Sequence, residues 1–300
     1  MNTREDVRVI MITYNGDEFF KQQLETILVQ KGIERIHIYD DHSNEESQAS
    51  IQKLCMNDER IQFHSNDRNL GVIPNIKKAL ANNLDAKYIA LSDQDDIWLP
   101  NKLEVTLKEM ASIDQPGTPA LVYHDMGIID HDGNQQPQTF WEIMRHDTFK
   151  HTFEANLVTN LITGAATLMN NTLASYAKDI PEDLNIYHDA WLGMVAYTMG
   201  EVRSIKQPLS LHRTHAESLT FSQSKNQTIL TRLSRNLKQV VGIDKPFENQ
   251  FLFIETFLET YKDSLLGSQK EVFEKFLLLR KKGYLAQKKV YLGISNQNVA

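Results

Sequence analysis

One cysteine, Cys55, stands in 300 residues. It excludes a disulfide framework within the chain and fits a reducing cytosol. Its neighbours read as helix, so a buried structural thiol is expected rather than a nucleophile. No apolar run approaches the roughly 18 residues of a spanning helix. Met1–Asp6 is polar and lacks a signal-like apolar core, so a cytoplasmic protein is expected. Positive charge is not in excess: the formal net charge is −7, which gives no broad basic field for nucleic acid. Glycine-rich phosphate cradles are missing too. Gly16 stands alone after the first apolar run, with neither G-x-G-x-x-G nor a Walker A stretch, which argues against dinucleotide enzymes and P-loop phosphoryl transfer. Internal repeats and low-complexity tracts are also absent.

What is present is ordinary for a soluble globular protein: 41% hydrophobic and 24% charged residues. The first half alternates short apolar runs with helical stripes. Val7–Ile12, Arg35–Tyr39, Ile61–His64, Tyr88–Ser92 and Ala120–His124 read as strands. Phe20, Leu24, Ile27 and Leu28 share one helical face, as do Ile76, Ala79, Leu80 and Leu84, and Leu103, Leu107 and Met110. Ser43 and Glu46 fit a capping box for the helix that follows. Such alternation predicts an α/β chain with a mostly parallel sheet and helices on both faces. Residues 152–207 are mixed in pattern, and from about Ser222 helical patterns dominate.

Ligands of open parallel sheets bind beyond the carboxyl ends of the strands. Here those ends are polar: Thr13-Tyr14-Asn15-Gly16, Asp40-Asp41-His42-Ser43, and Asp93-Gln94-Asp95-Asp96. In an extended segment Asp93 and Asp95 point the same way. Two hard oxygen ligands suit Mg²⁺ or Mn²⁺ bridging to a phosphate, and a solvated acidic turn is the plainer reading of the same residues.

Four motifs in order, Ile10-Met11-Ile12-Thr13-Tyr14-Asn15, Asp40-Asp41-His42-Ser43, Asn69-Leu70-Gly71 and Ser92-Asp93-Gln94-Asp95-Asp96-Ile97-Trp98-Leu99-Pro100-Asn101-Lys102-Leu103, resemble family 2 glycosyltransferases of the GT-A fold over roughly residues 7–220. The Ser-Asp-Gln-Asp-Asp-Ile-Trp form, with His188-Asp189-Ala190-Trp191-Leu192, is most similar to the bacterial rhamnosyltransferase branch. The resemblance implies a GT-A-type nucleotide-diphospho-sugar transferase domain over residues 1–221. Its donor half would run to about residue 112 and its acceptor half over 113–221, with a C-terminal helical region at 222–300. It also implies an inverting, metal-dependent transfer from a dTDP- or UDP-sugar, dTDP-rhamnose first among them, to a saccharide or lipid-linked acceptor in bacterial surface polysaccharide synthesis. The alternatives are a non-catalytic nucleotide-sugar or carbohydrate-binding protein on the same scaffold, and a sugar-1-phosphate nucleotidyltransferase, whose N-terminal Gly-rich loop is not seen.

Residue by residue, the resemblance points to Thr13, Tyr14, Asn15, Asp41, Arg68 and Asp93 for the donor. It points to Asp93, Asp95 and His215 for the divalent cation, Asp189 for the general base, and Gly164, His188 and Trp191 for the acceptor. Structural readings stand beside these: Asp41 as a helix-terminus anion, Arg68 as a surface charge, and Trp191 as core. Arg213 is read as a phosphate neutraliser. His212 and Ala216 depart from the family's usual tyrosine and glycine. Over residues 270–290, seven Lys and Arg against two Glu interleave with Phe273, Phe276, Leu277, Leu279 and Tyr284. That suits packing on the catalytic domain or on a second subunit, as in a homodimer, or peripheral contact at the inner face of a membrane.

Overall fold

A computed structural model describes residues 6–16, 18–184, 186–214 and 247–296. His215 and the 221/222 boundary lie outside the described residues. Contacts divide the chain into two units, Met1–Ile143 with Ile162–Arg213, and Met144–Leu161 with Thr214–Ala300. The segment Met144–Leu161 thus groups with the C-terminal helices, whereas the sequence pattern assigned it to the acceptor half.

In the first unit, β1 (Val7–Thr13), β2 (Ile33–Asp40), β3 (Ile61–Ser65) and β4 (Tyr88–Ser92) all run parallel, in the order β3-β2-β1-β4. The helices between them are α1 (Glu18–Leu28), α2 (Glu45–Cys55) and α3 (Val72–Ala81). Every residue of β4 is buried, and all but one of β1, as expected for strands covered on both faces. Phe20, Leu24 and Ile27 of α1 meet Val9, Met11, Ile36 and Ile38 in one core. The stripe of α3 ends at Leu80; Leu84 lies past the helix and is exposed.

Beyond β4 the sheet turns mixed. After β5 (Ile97–Trp98) and α4 (Lys102–Ala111) come β6 (Ala120–Ile129), β7 (Gln135–Thr139), β8 (Thr167–Asn170) and β9 (Glu201–Arg213). β8 is antiparallel to β4 and to β6, β9 is parallel to β6, and β5 pairs antiparallel with β9. β6 is longer than its predicted core, and all ten residues are buried. β9 escaped the sequence reading because its first half is largely exposed and charged and it carries Pro208. That proline falls at a register shift opposite Asp125, where a missing N–H is tolerated.

The cap of α2 also differs from expectation. Asn44, not Ser43, is the N-cap and accepts from the Ser47 N–H. Ser43 is already taken, donating its N–H and hydroxyl to Asp40.

The second unit contains α5 (Phe153–Val158), α7 (Glu248–Tyr261), α8 (Gly267–Leu278) and α9 (Tyr284–Asn296); α6 (His188–Met199) belongs to the first. Phe257 and Phe273 are wholly buried, and Phe153 packs edge-on against Phe273. The expected basic face is partly neutralised: Arg280 pairs with Glu248 and Glu255, and Lys275 with Glu271. Among the described residues no helix is long and apolar enough to cross a membrane.

Two positions, Ile27 in the last turn of α1 and Val29 just past its end, test this packing. Ile27 is fully buried and Val29 is 70% exposed. Ile27→Ala should cost about 2–5 kcal/mol. Val29→Ala should stay within about 0.5 kcal/mol, both read from urea unfolding midpoints.

Candidate active site

The carboxyl ends of β1, β2 and β4 share one edge, and hydrogen bonds tie them together. Asn15 adopts a left-handed conformation (φ 48°), its N–H donating to Ser43 Oγ at 2.7 Å and its Oδ1 accepting from the Asn44 N–H at 3.0 Å. Gln94 Oε1 accepts from the Thr13 hydroxyl at 2.7 Å and from the Tyr14 N–H at 3.1 Å. The middle residue of Asp93-Gln94-Asp95 therefore clamps the end of β1. Sequence reasoning passed over Gln94, although a carboxamide between two acids was the available signal. Tyr14 itself is half exposed at this edge.

Asp41 is held by three protein donors. One oxygen accepts from Asn66 Nδ2 (2.9 Å) and the Leu70 N–H (2.8 Å), the other from the Gly71 N–H (2.8 Å). Gly71 has φ 83°, a conformation that a side chain would strain. Asp41 thus anchors the Asn69-Leu70-Gly71 loop at the start of α3. Arg68, just before that loop, is exposed.

After Ser92 the chain bends at Gln94 and Asp95 instead of continuing extended, so strand alternation does not set the directions of Asp93 and Asp95. The Asp93 side chain is exposed at this edge, with protein packed around it. Removal from bulk water pushes its carboxyl above the usual carboxylate range, and the neighbouring charges of Asp96 and Asp95 add to the effect. Asp96 is buried. Its Oδ1 accepts from the Arg213 N–H at 3.3 Å and lies 3.0 Å from His212 Nδ1, while its buried Oδ2 has no hydrogen-bond partner among the described residues. Burial disfavours the charged His212 ring, but Asp96 outweighs it and the net shift is upward. The substitution of histidine for the family's usual tyrosine thus places a cation against the acid cluster.

Arg213 does not reach outward. Its guanidinium is buried on the Phe19 ring, with Nε on the Asp95 carbonyl (3.0 Å), Nη1 on the carbonyls of Asp130 and His131, and Nη2 on Gln22. Its four hydrogen bonds go to protein acceptors rather than to phosphate, and the one from Nε holds the loop that carries Asp95.

Across the cleft, α6 begins at His188. Asp189 Oδ2 accepts the Gly164 N–H at 3.0 Å, and Asp189 is close enough to Asp93 to raise its pKa. Gly164 packs directly on His188, and a methyl group there would overlap the ring. Burial lowers the His188 pKa against the opposing pull of Asp189, so the ring is neutral. Gly164, His188 and Asp189 all line a cavity of about 10 Å³, roughly the room for one water. Trp191, expected on the acceptor side, is wholly buried and faces protein, which leaves it no surface to stack on a sugar.

A divalent cation is implied by the motifs, and the local chemistry suits one. Carboxylates repel at the end of β4, and one buried carboxylate oxygen lacks a donor. Among the described residues no three His, Cys, Asp or Glu side chains already form a cage. Of the three ligands the resemblance implies, Asp93 and Asp95 lie at the end of β4 and would offer hard oxygens, and His215 lies outside the described residues.

The Glycosyl transferase family 2 profile matches residues 8–174. The chain belongs to glycosyltransferase family 2. Among its relatives is an uncharacterized glycosyltransferase of Methanocaldococcus jannaschii, 37% identical over 134 residues, which are 43% of this chain and 44% of that protein. An uncharacterized glycosyltransferase of Rickettsia bellii is 28% identical over 72% of this chain and 30% of its own length. The chain spans less than half the length of these curated relatives. The solved structure of S. aureus TarS 1-349 superposes with a TM-score of 0.56 at 14% identity, covering 96% of this chain and 90% of that one. The mannosyltransferase PcManGT from Pyrobaculum calidifontis, in complex with GDP-Man and Mn²⁺, gives 0.52 at 14% identity, covering 98% and 87%. At such identity these establish the GT-A fold alone.

The raised Asp93 has a measurable sign. Its proton is held more tightly in the folded chain than in the unfolded one, so the stability it gives when protonated is lost as the pH rises above about 4. In EDTA, Asp93→Asn should raise the melting temperature at pH 8 more than at pH 5, with no gain below about pH 4.

Proposed function

We propose that this family 2 chain transfers a sugar, with inversion, from a nucleotide diphosphate donor to a hydroxyl of a saccharide or lipid-linked acceptor. The observation that carries the reading is Asp189: it is fixed by the Gly164 N–H and lies near enough to Asp93 for its charge to act on that carboxyl. TarS 1-349 has been solved with UDP-GlcNAc and with UDP, and PcManGT with GDP-Man and Mn²⁺, which supports a nucleotide-sugar donor here. The motif resemblance favours dTDP-rhamnose among such donors.

Thr13, Tyr14 and Asn15, with the Asp41-anchored loop and Arg68, would border the base and ribose. Asp93 and Asp95, with His215, would hold Mg²⁺ or Mn²⁺, which when bound supplies positive charge beside the leaving diphosphate. Asp189 receives the proton of the acceptor hydroxyl. The acceptor oxygen bonds to the anomeric carbon as the bond from that carbon to the phosphate oxygen breaks, and the nucleoside diphosphate leaves with the electron pair. Gly164, lacking a side chain, leaves the room that the His188 ring fills beside Asp189. In the C-terminal unit, exposed Lys281, Lys282 and Lys289 beside exposed Leu285 support an acceptor presented at an anionic lipid surface.

UDP-, dTDP- and GDP-sugars screened by thermal shift with and without Mn²⁺ should reveal one class whose stabilisation depends on the cation. No stabilisation by any of them would overturn the reading. With the donor so found, Asp189→Asn should lower turnover about 10²–10⁴-fold while binding persists. Stabilisation of the native chain without turnover would mark a binding protein on the same scaffold.

A further inference from the structure

Lys102, the first residue of α4, is 1% exposed. Lysine is almost never buried without a paired charge, because removing an ammonium from water is costly. Among the described residues no carboxylate lies within ion-pair distance of its Nζ. Instead Nζ donates to the Ala165 carbonyl at 2.7 Å and sits 3.9 Å from the centre of the Trp98 ring. Ala165 is the middle of the Gly164–Ala166 turn, whose first N–H holds Asp189. Lys102 therefore reaches from beneath the acid motif to the turn that orients the proposed base. Burial lowers its pKa to about 7, against the opposing fields of Asp96 and Asp93.

The geometry points to Lys102 as a positioning residue for transfer: its ammonium, over the Trp98 ring, pins the Gly164–Ala166 turn and so sets Asp189 where it can take the proton of the acceptor hydroxyl. The inference rests on the glycosyltransferase reading above. It makes a distinctive demand. A cation near Asp93 and Asp96 competes with a divalent ion for them, so its loss should not weaken metal or nucleotide binding, while the placement of Asp189 should suffer.

The test compares the full native chain with Lys102→Met and Lys102→Arg. Circular dichroism checks the fold. Calorimetric titration with UDP, dTDP or GDP in MnCl₂ reads binding. Consumption of UDP-GlcNAc, dTDP-rhamnose and GDP-mannose with water as acceptor reads kcat and KM. Lys102→Met should bind within about threefold of native and lose kcat by about 10²-fold, the scale of a 1 Å misplacement, and Lys102→Arg should recover at least about tenfold of that loss. Native kcat in folded Lys102→Met, or a loss confined to KM, overturns the inference. Should Lys102→Met not fold, Lys102→Gln takes its place: kcat at least about tenfold down supports the role, and native kcat overturns it. If the native chain consumes none of these sugars, the functional reading fails on its own account. The pin is then read by amide exchange at residues 164–167, where faster exchange in the variant supports it and unchanged exchange overturns it.

Discussion

Repulsion among carboxylates at the end of β4 is the constraint around which the first unit is organised. Asp93, Asp95 and Asp96 take three of four consecutive positions, and ionising all of them at a sheet edge is unfavourable unless positive charge is supplied. The fold supplies it from three directions. His212 stands against Asp96, Arg213 ties down the Asp95 backbone, and Lys102 lies below. Two come from β9 and one from α4, so these two elements are drawn to the same point. Crowding by protein, with the charges of Asp96 and Asp95, raises the Asp93 carboxyl above its usual range, a perturbation of the kind that clusters at functional sites.

The scaffold beneath is rigid where the chemistry needs placement. Four parallel strands with buried, largely branched side chains fix the edge from which Thr13, Asp41 and Asp93 project. Loop atoms above that edge are then held by side-chain bonds rather than by sheet pairing. Asp41 holds the 69–71 loop, Gln94 holds the end of β1, and Ser43 holds Asn15. Networks of this kind specify geometry because every member has its partners.

Much of this half was legible in the sequence. β1 to β4 announce themselves as short apolar runs, and α1 and α3 as 3.6-residue stripes, since periodicity directly records which faces are buried. The polar clusters at the strand ends marked the edge correctly as a group. Other features were hidden because tertiary contacts decide them. β9 carries its exposed, charged half first and so lacks alternation. Ser43 looks like a helix cap until Asp40 claims it. Arg213 reads as a phosphate ligand until the Phe19 ring and four protein acceptors are seen around it. Trp191 has the composition of a sugar platform and the burial of core. Lys102 was visible only as a letter in a motif, because nothing local tells a lysine that it will be buried.

The contact between Gly164 and His188 limits how this site can diverge. With no room for even one carbon between them, position 164 can grow only if position 188 shrinks. Growth at 164 before 188 has shrunk would drive the new carbon into the ring. Pockets of altered acceptor preference should therefore arise in descendants of this chain through paired replacement at these two sites, or by leaving both untouched and reshaping the surrounding loops.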